Sequence, residues 1–383
     1  MIKILFVFAD IFKKGGTEAV MMNIFNNIDR SSFHIDFLIL NNKEDNTEEA
    51  DYLKRSGAKI FYITSRGENY IKHKKELQLF FKNNTYDIVH THMDAIGAEV
   101  LWEAWKNGIR VRIAHSHNTN QLPNPRGLKE IIHKIVITCE KILTRIFANG
   151  YVACSKEAGI WLFGEKRISQ ADFYLLKNAI DVKKYIYSEQ IRNEVRKELG
   201  LNSTVIGHVG RLNYQKNQEF LIEIFKEYLK KDVKAILLLV GDGENKKNLE
   251  SIIEAENLSK NVRFLGARDD INRLLQAMDV FVFPSRYEGL GVALIEAQLS
   301  GLPCLASSTI PREVEVSDNI RFLNIDDSPN VWSDTIYNVV NEKDNVRNSP
   351  LNMVRSRGYD MTECIIGLEQ FYDQLYRKKL INR

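Results

Sequence analysis

Two doubly wound α/β domains, each a parallel sheet covered by helices on both faces, are predicted by this 383-residue sequence. Three observations carry the prediction. Short β-rich apolar runs recur without polar alternation, helical patterns separate them from end to end, and the length exceeds what one hydrophobic core ordinarily serves. The first runs fall at 2–9, 35–40, 59–63, 87–92, 111–117, 151–155 and 173–177. The second set falls at 205–209, 235–240, 262–265, 280–283, 303–306 and 321–325. A parallel strand buried on both faces has no wet side to alternate toward, so its run is continuous. The charged, helix-like stretch 183–199, after Asn178-Ala179-Ile180-Asp181, is the predicted joint between the sheets. The predicted domains are 1–180 and 181–360, facing each other across a cleft, with a C-terminal amphipathic helix in 361–383 placed to return to the first domain.

Composition narrows the class. An apolar share of 44% and a charged share of 27% are those of a globular protein, and a net charge of +3 gives no reason to expect nucleic acid. Residues 1–178 carry 25 Lys and Arg against 20 Asp and Glu, whereas the remainder carries 28 against 30. A mildly basic first half suits an anionic partner and also arises by chance. Cys139, Cys154, Cys304 and Cys364 form no C-x-x-C pair, as expected of thiols in a reduced compartment. The apolar start, ended by Asp10, is short for a secretory leader, and no apolar stretch is long enough to span a bilayer. The expected location is the cytoplasm, or the cytoplasmic face of a membrane.

Open α/β sheets bind ligands beyond the carboxyl ends of their strands, so residues that follow strands are the candidates. Gly210 and Arg211 end one run, and Lys216 follows five residues later, just before a helix pattern. A guanidinium fork and a compact ammonium together suit a diphosphate, although two cations on a loop are also commonly just solvated. Glu288-Gly289-Leu290-Gly291-Val292 precedes another helix, with Glu296 inside it. Glycines there let the first N–H groups approach an anion, and two carboxylates eight apart can accept from sugar hydroxyls. An ordinary helix start with two surface carboxylates is the alternative. His90, His92, His115 and His117 cluster at two neighbouring strand ends, where imidazole can donate to a hydroxyl or a phosphate. Zinc is the rival there, set aside because no Cys or acidic ligands accompany the four. Gly15-Gly16 after the first run is a short phosphate-cradling turn, weak on its own.

In order and spacing these motifs resemble the retaining GT-B glycosyltransferases of family four, the "group 1" family. The resemblance spans nearly the whole chain: Gly15-Gly16-x-Glu18, Asp87–His92, His117-Asn118, Gly210-Arg211 to Lys216-Asn217, Gly241-Asp242-Gly243-Glu244, and the Glu288/Glu296 pair. Ile113–Asn118 with Asp87–His90 is similar to the branch that builds bacterial capsule and exopolysaccharide. The resemblance implies that Arg211 and Lys216 hold a donor pyrophosphate, Glu296 the ribose and Glu288 the transferred sugar. It also implies that Gly16, Gly210, Leu290, Gly291 and Val292 lie against phosphate or sugar, Arg268 near the base, and His117 between sugar and acceptor. One departure is Asn178-Ala179-Ile180-Asp181, where the family carries glycine in second place, which raises the question of an altered turn.

The implied donor is a nucleotide sugar, with uracil the favoured base, and it is a substrate; no cofactor and no metal are expected. The implied acceptor is a glycan or a polyprenyl-diphosphate-linked sugar. No two carboxylates are spaced as nucleophile and acid, so front-face displacement with retention is the expected mechanism. Rival classes are a sugar-nucleotide epimerase, a non-catalytic nucleotide-sugar-binding subunit and, more remotely, a nicotinamide oxidoreductase, which lacks its G-x-G-x-x-G.

One further pattern concerns the partner. Apolar residues at 128, 131, 132, 135, 136, 139, 142, 143, 146 and 147 form a helical stripe, with Lys129, Lys134, Lys141 and Arg145 off it and Arg110, Arg112 and Arg126 before it. Such a stripe ordinarily packs on its own sheet. Flanked by these cations, it could instead lie on an anionic membrane surface.

Overall fold

The computed structural model describes residues 1–10, 16–43, 47–118, 128–342 and 347–381. It divides into two compact units, Met1–Ala179 with Met361–Arg383, and Ile180–Asp360. Each is a doubly wound parallel sheet, the fold class that the apolar runs predict.

In the first unit the strands are β1 (Ile2–Phe8), β2 (Phe33–Ile39), β3 (Ile60–Tyr62), β4 (Ile88–Thr91), β5 (Val111–Ser116), β6 (Gly150–Ala153) and β7 (Phe173–Leu175). They lie in the order β3-β2-β1-β4-β5-β6-β7. Every pairing is parallel, with Ile4 of β1 opposite Ile35 on one side and Ile88 on the other. The second unit holds β8 (Val205–Val209), β9 (Ile236–Val240), β10 (Val262–Gly266), β11 (Val280–Phe283), β12 (Cys304–Ser307) and β13 (Ile320–Leu323). Their order is β10-β9-β8-β11-β12-β13. In both sheets the winding reverses beside the first strand, between β1 and β4 and between β8 and β11. Loops leaving such neighbours diverge to opposite faces and leave a crevice between them.

The last helix, Met361–Ile381, packs on the first sheet: Leu368, Phe371, Tyr372 and Leu375 share a core with β1, β2 and β5 residues. Gly367 makes the approach possible, because a Cβ there would stand 2.3 Å from the Tyr174 hydroxyl oxygen. The charged stretch after Asp181 is folded into the second unit rather than a free connector. Its helix Glu189–Glu198 presents Arg192 and Arg196 to Asp279 at 2.5 and 3.1 Å. Ala179 does not need glycine. Positive φ among described non-glycine residues occurs at Asp94, Asn217 and Asn257, and Ile180 is fixed by its N–H donating to Tyr359 O at 2.8 Å.

The stripe on Leu128–Phe147 does not pack on the sheet. The inward face is Ile137, Glu140 and Thr144, whose polar groups are bonded to Arg66 and to Ala95 O. The stripe residues Ile131, Ile132, Ile135, Val136, Ile142, Leu143 and Ile146 face solvent instead. Among the described residues no helix is long and apolar enough to cross a membrane.

Candidate active site

The crevice beside β8 and β11 gathers several of the predicted residues. Gly210 leaves β8 with its N–H on Val240 O at 2.9 Å, and the loops after β8 and β9 then touch backbone to backbone. Gly241 has a φ of 134°, and a Cβ there would lie 2.1 Å from Gly210 O, so only glycine fits this crossing. The loop next turns through Asn213, whose side chain caps Lys216 N at 3.1 Å, and Asn217, which has a left-handed φ of 56°. Asn217 is locked from the β11 side: its amide donates to Pro284 O at 3.2 Å, and Arg286 donates to its oxygen at 2.7 Å.

These constraints aim Lys216 at Glu288. Its Nζ lies 2.6 Å from Glu288 Oε1 and 4.6 Å from the Phe283 ring centroid, with side-chain exposures of 15% and 6% for the ion pair. Gln215 adds a bond to Glu288 Oε2 at 3.3 Å. Glu288 in turn borders Gly291, where a Cβ would stand 3.7 Å from its Cγ. Gly291 has a φ of 85° and caps the helix Val292–Leu299, so unpaired N–H groups open beside this carboxylate. Leu290 and Val292 are half-buried against the core beneath. Under the loop, His208 bonds Val282 O at 2.9 Å and Gln218 at 3.2 Å, and burial pushes its pKa down to about 4.

Glu296 sits one turn into the helix and accepts from the Tyr185 hydroxyl at 2.7 Å. Desolvation dominates and raises its pKa from 4.5 to about 7, the Tyr185 bond opposing. Two predicted cations stand apart from the pair. Arg211 is 70% exposed and bridges Glu244 at 3.2 Å, while Arg268 is clasped by Asp270 at 2.8 and 2.7 Å.

In the first unit, Gly16 opens the helix Gly16–Asn27 beyond β1; its neighbour Gly15 lies outside the described residues. His117 follows β5 and is held by Asp94, whose Oδ1 accepts from His117 N at 2.6 Å and from Asn118 N at 3.2 Å. Asp94 also has a left-handed φ of 51°, and burial raises its pKa. The four imidazoles stack: the His115 and His117 centroids are 3.9 Å apart, and His92 Nδ1 is 3.2 Å from His117 Nε2. The Tyr372 hydroxyl, from the last helix, bonds His90 Nδ1 at 2.7 Å. Burial holds all four neutral, with His117 pushed down to about 4. Ligand nitrogens of His90, His92 and His115 lie within 4.8 Å of one another, so the trio could hold a metal ion once drawn to roughly 3.4 Å apart. A cavity beyond the carboxyl ends of β1, β2 and β4 is lined by Ala9, Leu40, Arg66, Met93, Ile96 and Glu99.

Sequence reasoning missed Asp94, Tyr185, Gln215 and Tyr372. Asp94, two residues past His92, carried a local signal. The other three meet their partners only through the fold, Tyr372 from 282 positions away.

Two doubly wound units, the second with Lys216 and Glu288 brought together at its switch point, are the framework of a ligand-binding α/β protein. The model described as "Glycosyltransferase Family 4" matches residues 14–184, and "Glycosyl transferases group 1" matches 189–355. A putative glycosyltransferase, EpsF of Bacillus subtilis, is 30% identical over 94% of this chain and 94% of its own. The chain belongs to this glycosyltransferase family. It is also 27% identical, over 93% of each chain, to an Escherichia coli UDP-Gal:alpha-D-GlcNAc-diphosphoundecaprenol alpha-1,3-galactosyltransferase. The Anabaena HepE structure with UDP matches in fold, with a TM-score of 0.75 and 20% identity over 97% of this chain and 100% of that one.

Proposed function

We propose that this glycosyltransferase moves a hexose or N-acetylhexosamine from a UDP-sugar to a glycan or polyprenyl-diphosphate-linked acceptor, with retention, in cell-surface polysaccharide synthesis. The observation that carries the reading is the Lys216–Glu288 pair beside the free helix end at Gly291. A diphosphate arriving there meets an ammonium and N–H donors, and Arg211 can swing from its exposed partner to join them. Lys216 then leaves Glu288 free to accept from the sugar hydroxyls, while Glu296 accepts from the ribose. Leu290, Val292 and Gly210 supply the backbone walls and Arg268 the base contact.

Catalysis on this reading is electrostatic. The acceptor oxygen forms its bond to the anomeric carbon on the face the phosphate leaves, and the departing phosphate oxygen takes the acceptor proton. Lys216, Arg211 and the helix N-terminus stabilise the phosphate charge, so no metal is required. The acceptor falls to the first unit, where His117 and the cavity lie at strand ends. The donor reading is supported by the E. coli relative, named for UDP-Gal and a diphosphoundecaprenol-linked sugar, and the polysaccharide reading by EpsF and by a Staphylococcus aureus relative named for capsular polysaccharide biosynthesis.

A thermal-shift comparison of UDP- and GDP-sugars, followed by NMR of the product anomer, tests this. Stabilisation by a UDP-sugar and an anomer matching the donor are expected. An inverted anomer, or an epimerised donor formed without acceptor, would overturn it.

A further inference from the structure

The helix Leu128–Phe147 is turned the wrong way round for a helix of a free-standing globule. Seven aliphatic side chains between Ile131 and Ile146, among them Ile132, Ile135 and Leu143, are 42% to 61% exposed. Its polar groups do the anchoring. Glu140 accepts from Arg66 at 2.7 Å, Thr144 donates to Ala95 O at 3.1 Å, and Arg145 Nε donates to Leu162 O at 2.9 Å. At about 100° per residue the exposed aliphatics cover one continuous face, on the order of 22 Å long. Exposed Trp105 extends that apolar surface at the helix end, its ring 5.6 Å from Phe147.

Charge selects the occupant. Lys134, Lys141 and Arg145 are spaced at seven and four residues, which stacks them along one edge of the face. Lys141 Nζ rests 3.8 Å from the Trp161 ring centroid. From 131 to 147 the sole carboxylate is Glu140, which is buried and paired with Arg66. A second copy seated on this face would bring a like-charged edge and no carboxylate to meet it. An anionic lipid surface supplies both an apolar layer for the aliphatics and phosphates for the cations.

We propose that this face docks the protein on an anionic phospholipid bilayer, the helix lying in the plane of the headgroups. The inward side of the same helix adjoins the cavity described above, because Arg66 both lines that cavity and holds Glu140. The docking itself does not rest on the transfer reaction.

Flotation of the full chain with vesicles of phosphatidylcholine containing about one third phosphatidylglycerol measures it. Binding is expected to be at least tenfold weaker on pure phosphatidylcholine and to fall with added salt. The double variant Ile132→Gln, Ile135→Gln is expected to lose binding, and Lys134→Glu with Lys141→Glu to lower it roughly tenfold, each with an unchanged circular dichroism spectrum. Because all four side chains are outside the donor site, stabilisation by a UDP-sugar reports independently on that site. Equal binding to neutral and anionic vesicles, or unaltered binding by the isoleucine variant, would overturn the proposal. So would concentration-dependent dimers that the isoleucine variant abolishes in a protein that ignores vesicles.

Discussion

Lys216 Nζ lies 2.6 Å from Glu288 Oε1, a nearly buried ion pair that joins the loop after β8 to the loop after β11 across 72 residues of sequence. Each group neutralises the other. On the proposed function a donor diphosphate would compete for the ammonium and a sugar hydroxyl for the carboxylate, so binding would exchange one internal pair for two external ones.

That exchange makes the two substitutions unequal. Glu288→Gln leaves a buried lysine and a lost sugar contact, and turnover is expected to fall by about 10²–10³, or roughly 3–4 kcal/mol. Lys216→Ala is expected to weaken UDP binding as well as turnover. The double variant should fold better than Lys216→Ala alone, because it no longer strands a carboxylate. Steady-state kinetics with chemical denaturation checks this, and near-normal turnover in Glu288→Gln removes the carboxylate from the reaction.

Glu296 predicts a proton linked to donor binding. Its free-site pKa of about 7 means that it is half protonated near neutrality, and hydroxyls donating to it favour the carboxylate. Donor binding is therefore expected to release a proton and to tighten as pH rises from 6 to 8 by up to about tenfold. Calorimetry in buffers of different ionisation enthalpy reads the release. Glu296→Gln should abolish it, and persistence of the release in that variant would place the proton elsewhere.

Metal removal separates the site from the imidazole cluster. Transfer is expected to survive EDTA, since on the proposed function cations of the chain supply the charge that a divalent ion would. Loss of activity restored by magnesium or manganese would contradict the assignment of Arg211 and Lys216. Metal analysis of the protein as purified reads the histidines apart from activity: an equimolar ion lost on His90→Ala would show the trio occupied.

Acid should loosen the first unit. The buried histidines have folded pKa values below 6.5, so the unfolded chain takes up protons first as pH falls. Their stability contribution is present above about 6.5 and is lost toward pH 4; His117, at about 4, accounts for roughly 3 kcal/mol. Asp94, with its raised pKa, works in the opposite sense, one group against four. In the second unit the raised pKa of Glu296 offsets the lowered pKa of His208, so that unit should change less. Hydrogen exchange in β4 and β5 against β8 and β11, from pH 7 to pH 5, compares them, and equal loss of protection in both would refute the linkage.

The sequence by itself determined the fold class and the strands, because a strand buried on both faces writes its environment into a run of apolar residues. The glycines at 210 and 291 and the residues after strands were legible for a local reason, because strand ends and helix ends are set within a few positions, whereas Gly241 answers to the approach of Gly210 O from another loop. Only the tertiary structure decided which partners meet. Sheet order brought Lys216 to Glu288, the returning helix brought Tyr372 to His90, and the segment after Asp181 brought Tyr185 to Glu296. It also decided the outward turn of Leu128–Phe147. Periodicity shows that a helix has an apolar face but not which face its neighbours take, and here Arg66 and Ala95 O claimed the polar one.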